Sequence, residues 1–134
     1  MKYIAVGIGG IVGALVRYGL GQWIGTPSVD VFPLATWLAN MIGSFLLAFL
    51  TMYVFRMKHV SQVVISSVGT GIIGSFTTFS TFSVETLKLL QNEAFFMAFY
   101  YVSTSVIGGL FLSFIGFYFG NVLYEKSVKK EGAR

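Results

Sequence analysis

Four long apolar stretches fill almost the whole of this sequence, and nothing else about it limits the possible folds so strongly. They run over residues 3–24, 33–55, 60–90 and 94–124. A membrane-spanning helix needs roughly 20 predominantly apolar residues, and each stretch supplies them. The connectors, 25–32, 56–59 and 91–93, are short enough to make successive helices antiparallel. The expected fold is therefore a single all-α integral membrane domain over residues 1–134 with four transmembrane helices. A soluble fold is excluded by composition. The chain is 55% hydrophobic and 10% charged, against about 25% charged in an ordinary soluble domain, and so much apolar surface has to be covered by lipid. With no cysteine, disulfides and thiolate metal sites are excluded as well.

The net charge of +4 does not indicate a nucleic-acid binder, because the cations sit in connectors and in the C-terminal tail, not on one helix face or between aromatic platforms. Lys2 and the apolar run after it could suggest a signal peptide. The run continues past Arg17 without a clear small-residue cleavage site, which favours a retained first helix. Four spans put both termini on one side, together with Lys2, Arg56, Lys58, Lys126, Lys129, Lys130 and Arg134. The other side holds Lys88 and Arg17. Cytoplasmic loops are the ones enriched in Lys and Arg, so both termini are expected in the cytoplasm of a cell-membrane protein. The charged tail after Tyr124 is expected to fray into water.

Glycine pairs at Gly9/Gly13, Gly21/Gly25 and Gly116/Gly120 leave flat strips on which a second helix backbone can lie. Those strips serve packing within one subunit or contact between subunits.

The third stretch is a poor continuous helix. Gly69, Gly71 and Gly74 weaken it, and hydroxyl residues then crowd the sequence at Ser75, Thr77, Thr78, Ser80, Thr81 and Ser83. Such side chains compete for backbone hydrogen bonds. The spacing predicts a third helix broken near its middle, around residues 74–77. Non-helical backbone survives at membrane depth only where protein buries it or where it lines water. Carbonyls freed at such a break can hold a cation. Beyond it, Phe79 and Phe82 share a helix face beside a polar stripe of Thr77, Ser80 and Thr81.

Asn40 is a second polar signal inside an apolar span. A buried amide needs partners; it either bonds a neighbouring helix or faces an ion. Of the acidic residues, only Glu85 approaches mid-span. A proton-coupled exporter or a cation channel relies on intramembrane carboxylates. An anion pathway here would have to use neutral donors instead: amide N–H groups, hydroxyls and the positive edges of phenylalanine rings. His59 lies in a connector, and there is no nucleophile–base pair or phosphate loop.

In these residues the chain resembles the Fluc/CrcB fluoride channel family over nearly its whole length. The matching elements are Gly9-Gly10, Gly13-Ala14 and Arg17-Tyr18 in the first span, and Asn40 with Gly43 in the second. Most specific is the run Gly71, Gly74, Thr77-Thr78-Phe79-Ser80-Thr81-Phe82-Ser83 with Glu85 in the third. The resemblance implies no enzyme activity but passive, electrodiffusive export of toxic cytoplasmic fluoride, and hence fluoride resistance. It implies a dual-topology-type dimer of antiparallel subunits with two pores at their interface. Carried over by position, the fluoride pathway would comprise Asn40, Phe79, Phe82, Ser80, Thr81, Ser113 and Arg17. Arg17 would sit near a pore mouth or anchor to lipid headgroups. A structural sodium ion, not transported, would be held at the dimer centre by backbone carbonyls of Gly74 and Thr77.

Two features depart from the family pattern. Gly109 stands where a serine of the polar track is often found, and the charge bias is strong for a chain that must insert both ways. The second subunit is therefore either another copy or an inverted paralogue. A small proton-coupled exporter and a non-transporting helical subunit are the competing classes. The first is disfavoured because the first span has no carboxylate.

Overall fold

The computed structural model describes residues 2–25, 31–57 and 59–132, without the side chains of 131 and 132. Lys58 and Arg134, which enter the charge count above, lie outside the described residues. Helix α1 spans Lys2–Ile24 and α2 spans Leu34–Met52. The third apolar stretch is composite: α3 (Gln62–Ser66), a π-helical segment Ser67–Ile73, the short α4 (Gly74–Phe76) and α5 (Phe79–Gln91). Helix α6 spans Phe95–Gly132. Among the described residues, four elements are thus long and apolar enough to cross a membrane: Lys2–Ile24, Leu34–Met52, Gln62–Gln91 and Phe95–Lys130.

The contacts sort the spans into two parallel pairs. On the first, Ser67 Oγ donates to the Ala5 carbonyl at 2.7 Å, and Arg17 further along α1 reaches Ser75 further along the third span. Gly9 and Gly13 are both buried at this contact. A Cβ on Gly9 would stand 2.5 Å from the Ser67 carbonyl oxygen, and one on Gly13 would overlap the Ile72 backbone. On the second pair, a Cβ on Gly108 would stand 2.9 Å from Met41 Sδ, and one on Gly120 would stand 2.8 Å from the Phe49 carbonyl oxygen. Small residues thus set the backbone separation in each pair. The strip at Gly21 and Gly25 differs: a Cβ added to either would meet nothing within 4 Å.

Local chemistry explains the helix ends. Gly25 takes φ +87 and its N–H bonds the Gly21 carbonyl at 3.0 Å, the left-handed stop that glycine adopts without steric cost. Ser61 caps α3 by accepting from Val64 N–H. The α5–α6 turn is closed by Glu93 at φ 59, with Ala94 N–H on the Leu89 carbonyl at 2.9 Å.

Two details differ from the sequence expectation. The tail is helical through residue 132 and does not fray from residue 125, since α6 continues to Gly132. Lys and Glu are good helix formers, Asn121 Nδ2 bonds Glu125 Oε1 one turn on at 2.9 Å, and Lys129 and Lys130 in the last turn complement the helix dipole. Gly74–Phe76 form a helical turn, where the interruption was expected to begin. The extended residues are Thr77 (φ −79, ψ 154) and Thr78 (φ −151, ψ 120).

The core sits toward the end of the bundle that holds the α5–α6 turn. Leu89, Ala98 and Tyr101 are buried there, packed by Phe32, Trp37, Phe82 and Met97. Phe32 meets Tyr101 edge-on at 5.3 Å between ring centroids. Elsewhere large apolar side chains of α1 and α6, Ile4, Ile11, Leu110 and Phe114 among them, face outward, as lipid or partner contact requires.

Candidate ion pathway

The site is built on the two extended residues. Thr78 cannot continue the α-helical ladder, and Asn40 on α2 takes over its peptide hydrogen bonds. Thr78 N–H donates to Asn40 Oδ1 at 2.8 Å, and Asn40 Nδ2 donates to the Thr78 carbonyl at 3.1 Å. The side-chain amide thus pairs with the backbone as a neighbouring strand would. Thr78 Oγ1 restarts the helix by accepting Thr81 N–H at 3.2 Å. The same oxygen lies 3.0 Å from Thr81 Oγ1 and 3.3 Å from Ser80 Oγ. Thr77 Oγ1 donates back to the Ile73 carbonyl at 2.9 Å.

These diversions leave two carbonyls without their regular helical donors. In an uninterrupted helix Thr78 N–H would bond Gly74 and Thr81 N–H would bond Thr77; here both donors go to side-chain oxygens. The carbonyl between them, Ser75, accepts Arg17 Nε at 3.2 Å. Arg17 is half-buried and folds onto the third span.

Two cavities flank the interruption. One, of ≈ 290 Å³, is lined by Asn40, Gly43, Ser44, Leu47, Thr77, Thr78 and Phe79. A side chain at Gly43 would overlap the Thr77 methyl, so glycine there admits the extended segment. The other, of ≈ 230 Å³, includes Arg17, Tyr18, Gln22, Thr36, Thr81 and Glu85 in its wall. Thr81 therefore faces one cavity while its bonded neighbour Thr78 faces the other.

The two phenylalanines have different environments. Phe79 is 79% exposed and borders the first cavity. Phe82 is half-buried and its ring centroid lies 5.1 Å from that of Tyr101 and 5.8 Å from that of Phe79. Ser80 is exposed beside them. Ser113 stands apart from this group: on α6, it reaches the site only through the Ser44 carbonyl, at 3.4 Å. A Cβ at Gly109 would lie 3.7 Å from both Ser44 Oγ and Met41 Cε.

Sequence reasoning singled out Glu85 but missed its partners. Thr36 Oγ1 donates to one carboxylate oxygen at 2.9 Å and the fully buried Tyr101 donates its hydroxyl to the other at 2.8 Å. A lone threonine and one tyrosine in an aromatic run give no sequence signal of such a cluster. Trp37 Nε1 and Ser105 Oγ were missed too; both are buried without a hydrogen-bond partner among the described residues. The cavity at Asn40 is walled by neutral donors and the Phe79 ring without a charged side chain, a surface suited to a small, strongly hydrated anion, whereas the second cavity holds both Arg17 and Glu85.

Four bilayer-length helices with an irregular polar segment walled by protein define a small polytopic membrane protein. Residues 4–117 match the family described as CrcB-like protein, Camphor Resistance (CrcB), and the chain belongs to that family. It is 53% identical over 126 residues to "Fluoride-specific ion channel FluC 1" of Bacillus cereus, an alignment covering 94% of this chain and 88% of that protein. It is 41% identical over 132 residues to "Fluoride-specific ion channel FluC 2" of Listeria monocytogenes, covering 98% and 100%. Identity to the FluC 2 protein of Geobacillus kaustophilus is 45% over 117 residues. The chain is thus a member of a channel family and not an enzyme.

Proposed function

We propose that this chain is a subunit of a fluoride-selective channel that lets toxic cytoplasmic fluoride leave by passive electrodiffusion. The observation that carries the reading is how Asn40 uses its amide. One N–H is given to the Thr78 carbonyl. A side-chain amide has two N–H donors, and the residue lines the cavity bordered by Phe79. A fixed, uncharged donor beside a ring edge can replace part of an anion's water shell without trapping the ion as a lysine would. Phe79, Phe82, Ser80 and Thr81 continue such a pathway along α5. Ser113 and Arg17 join it at its edges. The curated relatives named as fluoride-specific channels support the choice of anion.

The exposed Phe79 needs a further wall for any pore, which supports an antiparallel second subunit, either another copy or an inverted paralogue, with two pores at the interface. The diverted donors around Gly74 and Thr77 support a structural sodium ion on those two carbonyls, since unwound backbone carbonyls can coordinate sodium in membrane proteins. When bound, that ion would supply fixed positive charge at the dimer centre. The seven-to-two distribution of cations supports cytoplasmic termini.

Proteoliposomes containing the chain, with its paralogue where one is needed, are expected to release fluoride down its gradient and retain chloride. Equal fluxes of both ions would overturn the selectivity. Single cysteines at each terminus, labelled from outside intact cells, report orientation: half the copies reacting would mean one chain inserts both ways and needs no paralogue.

A further inference from the structure

The C-terminal part of α6 has no role in this pathway, and its chemistry is distinct. Its 38 residues extend about 57 Å at ~1.5 Å per residue. The hydrocarbon core is about 30 Å thick, and a tilt of ~20° lengthens the path only slightly. The helix therefore outruns the hydrocarbon by about 25 Å, and its charged C-terminal part continues beyond it as a rod.

One face of that rod is pinned. Arg56 from the connector after α2 lies over the Tyr124 ring, 4.1 Å from its centroid, and its Nη1 donates to Asn121 Oδ1 at 2.9 Å. Asn121 in turn donates to Glu125 Oε1 at 2.9 Å, which engages the nearest carboxylate in this network. The other face carries Lys126, Lys129 and Lys130, spaced to lie together and all exposed. Phe119, Tyr118 and Phe111 precede Lys126 by seven, eight and fifteen positions, so they lie on the same side of the helix. They are outward-facing too. The lysines thus stand directly over this outward-facing aromatic stripe of α6. Helical side chains lean toward the N-terminus of their helix, and here that direction points back at the bilayer.

We propose that Lys126, Lys129 and Lys130 form a binding surface for anionic phospholipid headgroups at this end of the bundle. Charge complementarity and continuity with the outward-facing aromatic stripe select this occupant: a phosphate held there would place its acyl chains along Phe119, Tyr118 and Phe111. A lysine near an anionic membrane surface strengthens binding about fivefold.

The test is native mass spectrometry of the full chain with phosphatidylglycerol and phosphatidylcholine of the same acyl chains. The parent should prefer phosphatidylglycerol. The triple variant Lys126→Gln/Lys129→Gln/Lys130→Gln, which keeps helix formers at all three positions, should lose that preference by about tenfold or more. Arginine at the same three positions should keep it, and Lys88→Gln at the opposite end should not alter it. An unchanged preference in the glutamine variant would overturn the proposal. So would its loss in the arginine variant, or inorganic phosphate competing as strongly as the lipid.

Discussion

Asn40 and Thr78, on different spans, exchange two hydrogen bonds: the side-chain amide of one receives and returns the peptide group of the other, at 2.8 and 3.1 Å. The pairing lets Thr77 and Thr78 lie extended at membrane depth, where an unpaired peptide group costs several kcal/mol. It also holds one amide N–H of Asn40 in a fixed direction at the wall of the cavity.

Asn40→Asp tests both consequences. Aspartate can still accept from Thr78 N–H, but it cannot donate to the Thr78 carbonyl, and it brings negative charge to the cavity. Leaving that buried acceptor unpaired is expected to cost about 1–3 kcal/mol, read as a lower thermal midpoint in detergent. Fluoride efflux from liposomes should fall at least tenfold. Parent-like efflux would remove Asn40 from the pathway.

Phe79 and Phe82 should separate function from packing. Phe79 is mostly exposed, so Phe79→Ile should leave the stability of the folded subunit within about 0.5 kcal/mol while reducing fluoride efflux strongly. Phe82 packs on the Leu89–Tyr101 core; Phe82→Ile should lower efflux and also cost about 1–2 kcal/mol of stability. Equal stability losses in the two variants would contradict the environments described here.

The glycine strips make a third contrast. Gly13→Ala would drive a methyl into the Ile72 backbone, so the variant should be destabilised by more than about 2 kcal/mol or fail to accumulate in membranes. Gly21→Ala meets open space within the subunit and should gain about 0.5–1 kcal/mol of helix stability. Should Gly21→Ala instead abolish efflux while the isolated subunit stays folded, that strip is where the second subunit docks.

How much of this could be read from residues alone differs by element. The four spans were legible because bilayer length and hydropathy act on every residue in a stretch. Gly9 with Gly13 and Gly116 with Gly120 were legible as strips, since a four-residue spacing fixes a common face. Which strips close within the subunit was not, because that depends on partners such as Ile72 and Phe49. Asn40 left two readings open, glue or donor, and its bonds to Thr78 occupy only part of the amide. Arg17 likewise left two readings open, and its bond to the Ser75 carbonyl is a contact between residues 58 apart in the chain. The Thr36–Glu85–Tyr101 cluster joins three spans through single side chains, and no local pattern encodes it. The helix beyond Tyr124 was misjudged because a run of charges was weighted above the helix propensity of lysine and glutamate.

Gly109 gives the last prediction. A Cβ there would lie 3.7 Å from Ser44 Oγ and Met41 Cε, an ordinary contact distance that requires no repacking. Glycine within a helix also costs about 0.5–1 kcal/mol relative to a residue with a side chain, so Gly109→Ser should be neutral or mildly stabilising. Its hydroxyl would stand beside Ser44, which lines the Asn40 cavity and whose carbonyl Ser113 already reaches. That adds a neutral donor to the stretch between Ser113 and α5. Fluoride efflux from liposomes should exceed the parent's, with chloride still retained. Gly109→Ala is the control: it restores the helix without the hydroxyl and should match the serine variant in thermal midpoint but not in efflux. If alanine raises efflux as much as serine, the gain comes from a stiffer α6, and the hydroxyl has no part in conduction.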